Sequence, residues 1–261
     1  MYFIGKGDLY VASRDANGNP GILSSMLEVP EFTLSPQVEY RDNFATSKGA
    51  PNEQDMHLEY QRALNGTIGV KEPTLPNLAH ILHGDAGTEN AGSYTAADNL
   101  PSGLAVGDYV QLPGNHVNLS SIVLKDSTGT PVTLTLGTHY SIISAMAGII
   151  KILSLTSLTQ PLKHFSSSYG ASSDVKILTK SVGNKCLIFD GINLADLDSS
   201  QNPKPLIIQL HNVSINPTDS FPLKNDDFAM YTLSFNALRD PLKAVDTALG
   251  RFGQIRYPTV S

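Results

Sequence analysis

The chain has seven histidines, a single cysteine and several closely spaced aspartates, and these are the side chains whose types could carry chemistry. His80 and His83 stand three apart, which puts both imidazoles on one face of a helix. A zinc centre wants three or four ligands, however, and no cysteine or third histidine lies nearby in sequence, so the pair reads as ordinary helix surface or partial burial. Asp226 with Asp227, and Asp196 with Asp198, have the spacing of acid/base pairs. Nothing flanking them suggests the desolvated cleft that would separate two carboxyl pKa values, so they read as solvated turns. Cys186 sits in an apolar run beside Leu187 and Ile188, the setting of a buried structural thiol rather than a nucleophile. Asp15-Ala-Asn-Gly-Asn-Pro20 opens like a calcium loop, but the sixth position is Pro20 instead of glycine. The twelfth, Met26, has no carboxylate, and a plain turn is the better reading. Gly5-Lys6-Gly7 lacks the remaining glycines and the Lys-Ser/Thr ending of a phosphate loop, and it precedes a strand. Asn65, Asn118 and Asn212 begin glycosylation acceptor triplets, which carry weight only in a secreted chain. No catalytic residue, metal site or cofactor is expected.

The elements that would position these groups are mostly strands. A turn cluster at residues 14–21 succeeds an apolar run at 8–13, a hairpin pattern. Phe32, Leu34, Pro36, Val38 and Tyr40 alternate with polar neighbours, as do Met56, Leu58 and Tyr60. Between them, residues 42–55 are polar, small and poorly suited to burial, and a loop of that length in a compact domain is functional or disordered. One helix is expected within residues 73–84, where Leu75, Leu78, Ala79 and Leu82 recur at helical spacing and Gly84 suits the C-terminal stop. Small polar seams at 85–92 and 166–173 bracket short strand-like runs at 109–112, 117–125, 132–136, 139–143 and 148–153. They imply a small sandwich of immunoglobulin-like type at 90–169, without the Cys and Trp markers of antibody domains. Strand patterns resume at 175–180, 186–189, 206–215, 228–238 and 252–257, so residues 1–89 and 170–261 are expected to form one discontinuous domain.

Composition narrows the function classes. Charged residues are 16% of the 261, and 24 Asp and Glu against 18 Lys and Arg leave a formal net charge of -6. That charge opposes the phosphate neutralisation expected of a protein that grips DNA. Sixteen prolines and 21 glycines spread along the chain fit many short strands joined by turns. The longest apolar candidate, at 142–155, is interrupted by Ser144, Gly148, Lys151 and Ser154, short of the roughly 18 uninterrupted residues of a membrane span. The opening Met1-Tyr-Phe-Ile-Gly-Lys6 lacks the apolar stretch of a secretory signal, and a soluble protein folding in a reducing cytoplasm is expected. The absence of tryptophan weakens a carbohydrate-binding reading.

Several stretches, in order, resemble the major tail tube proteins of long-tailed, siphovirus-like bacteriophages. They are Gly5-Lys-Gly-Asp-Leu-Tyr-Val-Ala-Ser13 with its turn, Val29-Pro-Glu-Phe-Thr-Leu-Ser35, the helix Asn77-Leu-Ala-His-Ile-Leu-His-Gly84, Leu187-Ile-Phe-Asp-Gly-Ile-Asn-Leu194, Asn225-Asp-Asp-Phe-Ala-Met-Tyr-Thr-Leu233 and Gly250-Arg-Phe-Gly-Gln-Ile-Arg256. The resemblance implies an all-β fold, a tail-tube β-sandwich or partial barrel with one flanking α-helix, in addition to the small inserted sandwich. It further implies homohexameric rings stacked into a tube, contacts with tape measure, tail terminator and distal tail proteins, and double-stranded DNA passing through the lumen without specific binding. The expected location is the virion tail, assembled in the bacterial host cytoplasm without membrane insertion. The loop at 42–55 is expected to reach a neighbouring ring or subunit through Asp42, Asn43, Phe44, Lys48, Asn52, Glu53 and Asp55. From the net charge, the lumen is expected to be acidic on average. A different class of function, a binding module whose insert contacts host surface glycans or proteins, fits the self-contained pattern of residues 90–169.

Overall fold

In the computed structural model, residues 4–46, 52–181, 183–198, 201–224, 228–243 and 250–258 are described. The first half of the chain forms β1 (Gly5–Arg14), β2 (Pro20–Ser25), β3 (Glu31–Phe44), β4 (Gln54–Val70), α1 (Leu75–Ile81) and β5 (Asp85–Glu89). The middle forms β6 (Gly92–Tyr94), β7 (Asp98–Asn99), β8 (Tyr109–Gln111), β9 (Leu119–Lys125), β10 (Tyr140–Ser144), β11 (Ile149–Ile152) and β12 (Lys163–Tyr169). The last part forms β13 (Ser172–Lys176), β14 (Lys185–Leu197), β15 (Pro203–Ile215), β16 (Tyr231–Ala237) and β17 (Gly253–Arg256). Among the described residues the chain is therefore all-β with one helix. It divides into two compact units, one of residues 1–86 with 175–261 and the other of residues 87–174.

The discontinuous unit is built on one antiparallel sheet in the order β2-β1-β14-β15-β16-β4-β3, with β17 added to β15. β16 shows why the sequence folds this way. Tyr231, Leu233, Phe235 and Ala237 are buried while Thr232, Ser234 and Asn236 face solvent, a clean period of two. The buried sides of β1, β4, β14, β15 and β16 share one core with Met26 and with Ile81 of α1. Phe32 of β3 stacks at 5.8 Å on Phe189 of β14, although three strands separate them in the sheet. The sheet therefore curls around its own core, yet it stays open, and no sheet among the described residues closes into a barrel. Gly66 makes room for a close approach within the sheet: a Cβ there would lie 2.2 Å from the Thr33 carbonyl oxygen and 2.3 Å from the Phe235 ring.

The helix begins at a proline-containing first turn and ends in a way the sequence did not indicate. The left-handed residue at its C-terminus is His83, with φ of 47°, and not Gly84. The Gly84 N–H donates back to the Ala79 carbonyl at 2.9 Å, the Schellman pattern. Gly84 is needed for space, because a Cβ would meet Val175 at 2.5 Å and the Lys176 carbonyl oxygen at 2.6 Å.

The second unit is a small β-sandwich. One sheet has β12 at its centre, with β6 and β7 along one edge and β9 along the other; the second runs β10-β11-β8. Leu100, Val110, Leu124, Leu134, Ile150 and Leu162 are among the buried residues of their common core. Three expectations are corrected here. The serine-rich stretch read as a seam lies largely in β12, where buried Ser167 is 3.1 Å from the Nε2 of buried His164. The other seam contains β5, which pairs with β13 as a two-stranded ribbon. The strand expected at 132–136 is reduced to isolated bridges, Lys125 to Thr133 and Leu136 to Tyr140. Its backbone is diverted by Asp126, whose carboxylate has no solvent exposure and accepts from Val132 N at 2.7 Å, Thr128 Oγ1 at 2.8 Å and Thr159 N at 3.3 Å. These hydrogen bonds hold the Asp126 carboxyl below the usual carboxylate range, against the opposing effect of burial.

Candidate assembly surface

β4 pairs with β16 only from Leu64 to Val70, whereas its pairing with β3 continues to the far end, where Phe44 meets Gln54. Beyond Leu64 the two strands pair only with each other among the described residues. This leaves a two-stranded arm made of residues 37–44 of β3 and 54–63 of β4, about 25–30 Å long at the usual rise. The backbone stays paired where a loop was expected. Asp42, Asn43 and Phe44 end β3, Asp55 lies in β4, and the connection is confined to residues 45–53. Asp and Asn are poor strand formers, but here they bond across the ladder: Asn43 Nδ2 donates to Asp55 Oδ1 at 2.7 Å, and Asp42 Oδ1 is 2.5 Å from His57 Nδ1 and 2.9 Å from Gln54 Nε2. Asn52 adopts a φ of 63° and donates its N–H to the Ala45 carbonyl, while Ala45 donates to Glu53. Lys48 lies outside the described residues.

The arm is bare on both faces. Val38, Tyr40, Phe44, Met56, Leu58 and Tyr60 are 43% to 55% exposed. Tyr40 stacks on His57 at 4.4 Å and the Arg41 guanidinium lies 3.8 Å over the Tyr60 ring. Arg62 forks onto Glu59, and that hydrogen bond holds the Glu59 carboxyl below its ordinary value. Two register shifts, beside Tyr40 and beside Phe44, bend the arm locally. A two-stranded ribbon with no core behind it is marginal in water, and apolar side chains repeated along its length mark a surface meant to be covered. The sequence contained this signal in the length of β3 and β4, 14 and 17 residues, beyond the usual strand. The apolar residues of the arm obey the same alternation as core strands, so the period alone does not tell the two apart.

The sheet has two further docking features. The outer edges of β2 and β3 pair with no strand among the described residues, and each carries the proline an edge tolerates, Pro20 and Pro36. On β2 the Ile22 side chain is 94% exposed. The solvent-facing rows of β3, β4, β16 and the end of β15 consist of Thr33, Thr67 and Ser234, then Ser35, Asn65, Asn236 and Ser214, with the charged Glu31 and Glu39 in the same alternation of β3 on either side of them. Many of these groups bond to each other: Thr33 and Thr67 hydroxyls are 2.6 Å apart, Asn65 Nδ2 is 3.2 Å from Gln37 Oε1, and Asn216 Nδ2 is 3.0 Å from Ser234 Oγ. The rows between the two glutamates form an uncharged polar face.

Residues 2–256 match the family described as "Protein of unknown function UCP028589". The chain belongs to this family. No curated protein matches it. The match spans both units of this UCP028589 protein, insert included.

The remaining sequence candidates are dispersed in this family member. His83 is 3.0 Å from the Ile215 carbonyl oxygen through Nε2, while His80 lines a cleft at the end of α1. Among the described residues no three His, Cys, Asp or Glu side chains gather as a metal site requires. Asp15 accepts the N–H groups of Asn17 and Asn19 at 2.9 and 2.7 Å, which makes the 15–20 segment an Asx turn. Asp196 pairs with Lys204 at 2.8 Å and Asp198 accepts from the Asn202 N–H, so the two acids serve separate local contacts. Asp226 and Asp227 lie outside the described residues. The Cys186 thiol is buried, 3.1 Å from the His211 carbonyl oxygen, and burial pushes its pKa up. Sequence reasoning missed one group in the insert, where Tyr94 stacks on buried His164 at 4.6 Å and His116 stacks on Tyr169 at 3.8 Å. No spacing rule connects these four positions.

Proposed function

We propose that this protein is a structural subunit of a phage tail tube, polymerising as stacked hexameric rings that form the conduit for genome ejection. The observation that carries the reading is the two-stranded arm, whose apolar side chains stay exposed among the described residues and which a partner would cover. An open sheet with free edges at β2 and β3 supports it, because head-to-tail pairing of unlike edges closes a ring and leaves two different faces for stacking. The arm then spans to a neighbouring copy through Phe44, Asn52, Glu53 and Asp55 at its tip. The resemblance of the six stretches to tail tube proteins supplies the identity of the assembly and its partners, the tape measure, terminator and distal tail proteins, and its place in the virion tail. In this reading the neutral Thr/Ser/Asn rows face the lumen. They replace the acidic lining expected from net charge: a surface whose polar groups bond one another offers DNA phosphates neither a cation to hold nor a strong repulsion. Negative-stain electron microscopy and light scattering on the purified protein test the proposal, with rings or tubes expected on concentration. A strictly monomeric protein in all conditions, with no tubes in infected-cell lysates, refutes it.

The insert favours a second, compatible role, an immunoglobulin-like decoration that contacts host surface glycans or proteins. It has its own core and presents Tyr109, Ile143 and Met146 to solvent. Excision of residues 87–174 separates the roles: tubes that still form but adsorb poorly make the insert adhesive, whereas failure to assemble gives it to the tube.

A further inference from the structure

At the C-terminal end of α1, within the discontinuous unit, lies a cleft of about 280 Å³ with Ala79, His80, Asp85, Lys180 and Lys185 among its lining residues. Its charges do not balance. Lys180 Nζ is 3.1 Å from Asp85 Oδ1, which accounts for the single carboxylate in the lining. Lys185 is partly buried and hydrogen-bonds only the neutral Ser13 hydroxyl, at 3.1 Å; no ion pair forms at its ammonium group among the described residues. His80 lines the same cleft partly buried, and burial, then the charge of Lys185, then His83 depress its pKa to about 4. Burial and the neighbouring Lys180 depress Lys185 as well. Two lysines, Lys185 partly buried and Lys180 exposed at the mouth, and a histidine line a cleft with walls as small as Ala79 and Gly84, an excess of positive charge with room for a compact anion.

We propose that this cleft is an oxyanion-binding site, taking a phosphate or carboxylate group between the ammonium groups of Lys180 and Lys185 and against the His80 imidazole. An anion placed there relieves the repulsion between the lysines, and His80 takes up a proton from solvent as it binds. The anion has two possible sources, free phosphate or a carboxylate from a second copy. The second source rests on the assembly reading, since the arm tip carries Asp42, Glu53 and Asp55.

Isothermal titration of the full chain with inorganic phosphate, at constant ionic strength and in two buffers of different ionisation enthalpy, tests the site. Saturable binding with proton uptake is expected near pH 6. Lys185→Met and Lys180→Met should each weaken it about tenfold, the loss of one charge-assisted contact. His80→Gln should keep measurable binding and reduce the proton uptake. Absence of saturable binding to the wild type, or affinities unchanged in both lysine variants, overturns the proposal. Assembly measured in the same titration identifies the source: phosphate that binds and dissociates assemblies points to a carboxylate of a second copy, and phosphate that binds and leaves them intact points to a free anion. A monomeric protein that still binds phosphate refutes the tube reading and leaves this one standing.

Discussion

His80 makes a quantitative test of how the discontinuous unit is held together. Its folded pKa of about 4 lies below the unfolded value near 6.5, chiefly because burial disfavours the imidazolium. Between these values the unfolded chain binds more protons than the folded one, so stability rises with pH across that window. The contribution is complete above pH 6.5, declines as pH falls, and levels off below about 4. Linkage across 2.5 pKa units gives about 3 kcal/mol in total, of which about 2 kcal/mol is lost between pH 7.5 and pH 5. The assay is urea unfolding of wild type and His80→Gln at both pH values, monitored by tyrosine fluorescence in a phosphate-free buffer. Subtracting the variant removes titrating groups common to both proteins, including buried His164, whose pKa burial also lowers. The wild-type advantage should shrink by about 2 kcal/mol on acidification. A difference that stays flat shows that burial does not hold His80 neutral. A difference that grows shows instead that the fold stabilises the cation.

Packing sets three further outcomes. Replacing Tyr40 and Phe44 together by serine should abolish self-association in sedimentation velocity while leaving the melting temperature unchanged, since both side chains are exposed in the single chain. Leu124→Ala, at a side chain with no exposure in the insert core, should cost about 2–5 kcal/mol, with hydrogen exchange quickening in residues 87–174 and not in the rest. Gly66→Ala should destabilise the large sheet by about 1–3 kcal/mol, measured by denaturant unfolding, because its methyl group collides with the Thr33 carbonyl and the Phe235 ring.

The parts of the fold legible in the sequence are those where side-chain period and burial agree. The 228–238 pattern corresponds to β16, with its alternating Tyr231, Leu233 and Phe235, and the spacing of Leu75, Leu78 and Leu82 marks α1. Legibility fails where the strand-forming force is supplied by a partner strand rather than by the residue itself. Ser166, Ser167 and Ser168 have little intrinsic strand preference, yet they lie in β12, between β6 and β9. Asp42 and Asn43 read as loop residues because their cross-strand partners, His57 and Asp55, are distant in sequence. The run at 132–136 fails in the opposite direction: its apolar pattern is real, and Leu134 reaches the core, but the Asp126 carboxylate has already engaged the Val132 N–H. Of the arm, the sequence indicated the position but not the form.

The discontinuity of the large sheet also sets a timetable for making the protein. β1 can pair with β2 at once but finds its second partner only when β14 has been synthesised, with Gly5 paired to Asn193, and the inner half of β4, already paired with β3, waits likewise for β16. On the ribosome, Leu9, Val11, Ile68 and Val70 therefore stay uncovered while the insert and the C-terminal strands emerge, a delay on the order of ten seconds. The insert, whose strands all lie between residues 87 and 174, can fold during that wait. Once folded it draws its two ends together at the β5–β13 ribbon, roughly halving the effective loop that β4 and β16 must close and lowering that entropy by about 0.6 kcal/mol. The interruption of the sheet thus costs its late partners less than its length in sequence suggests, because a folded insert counts as a short connection.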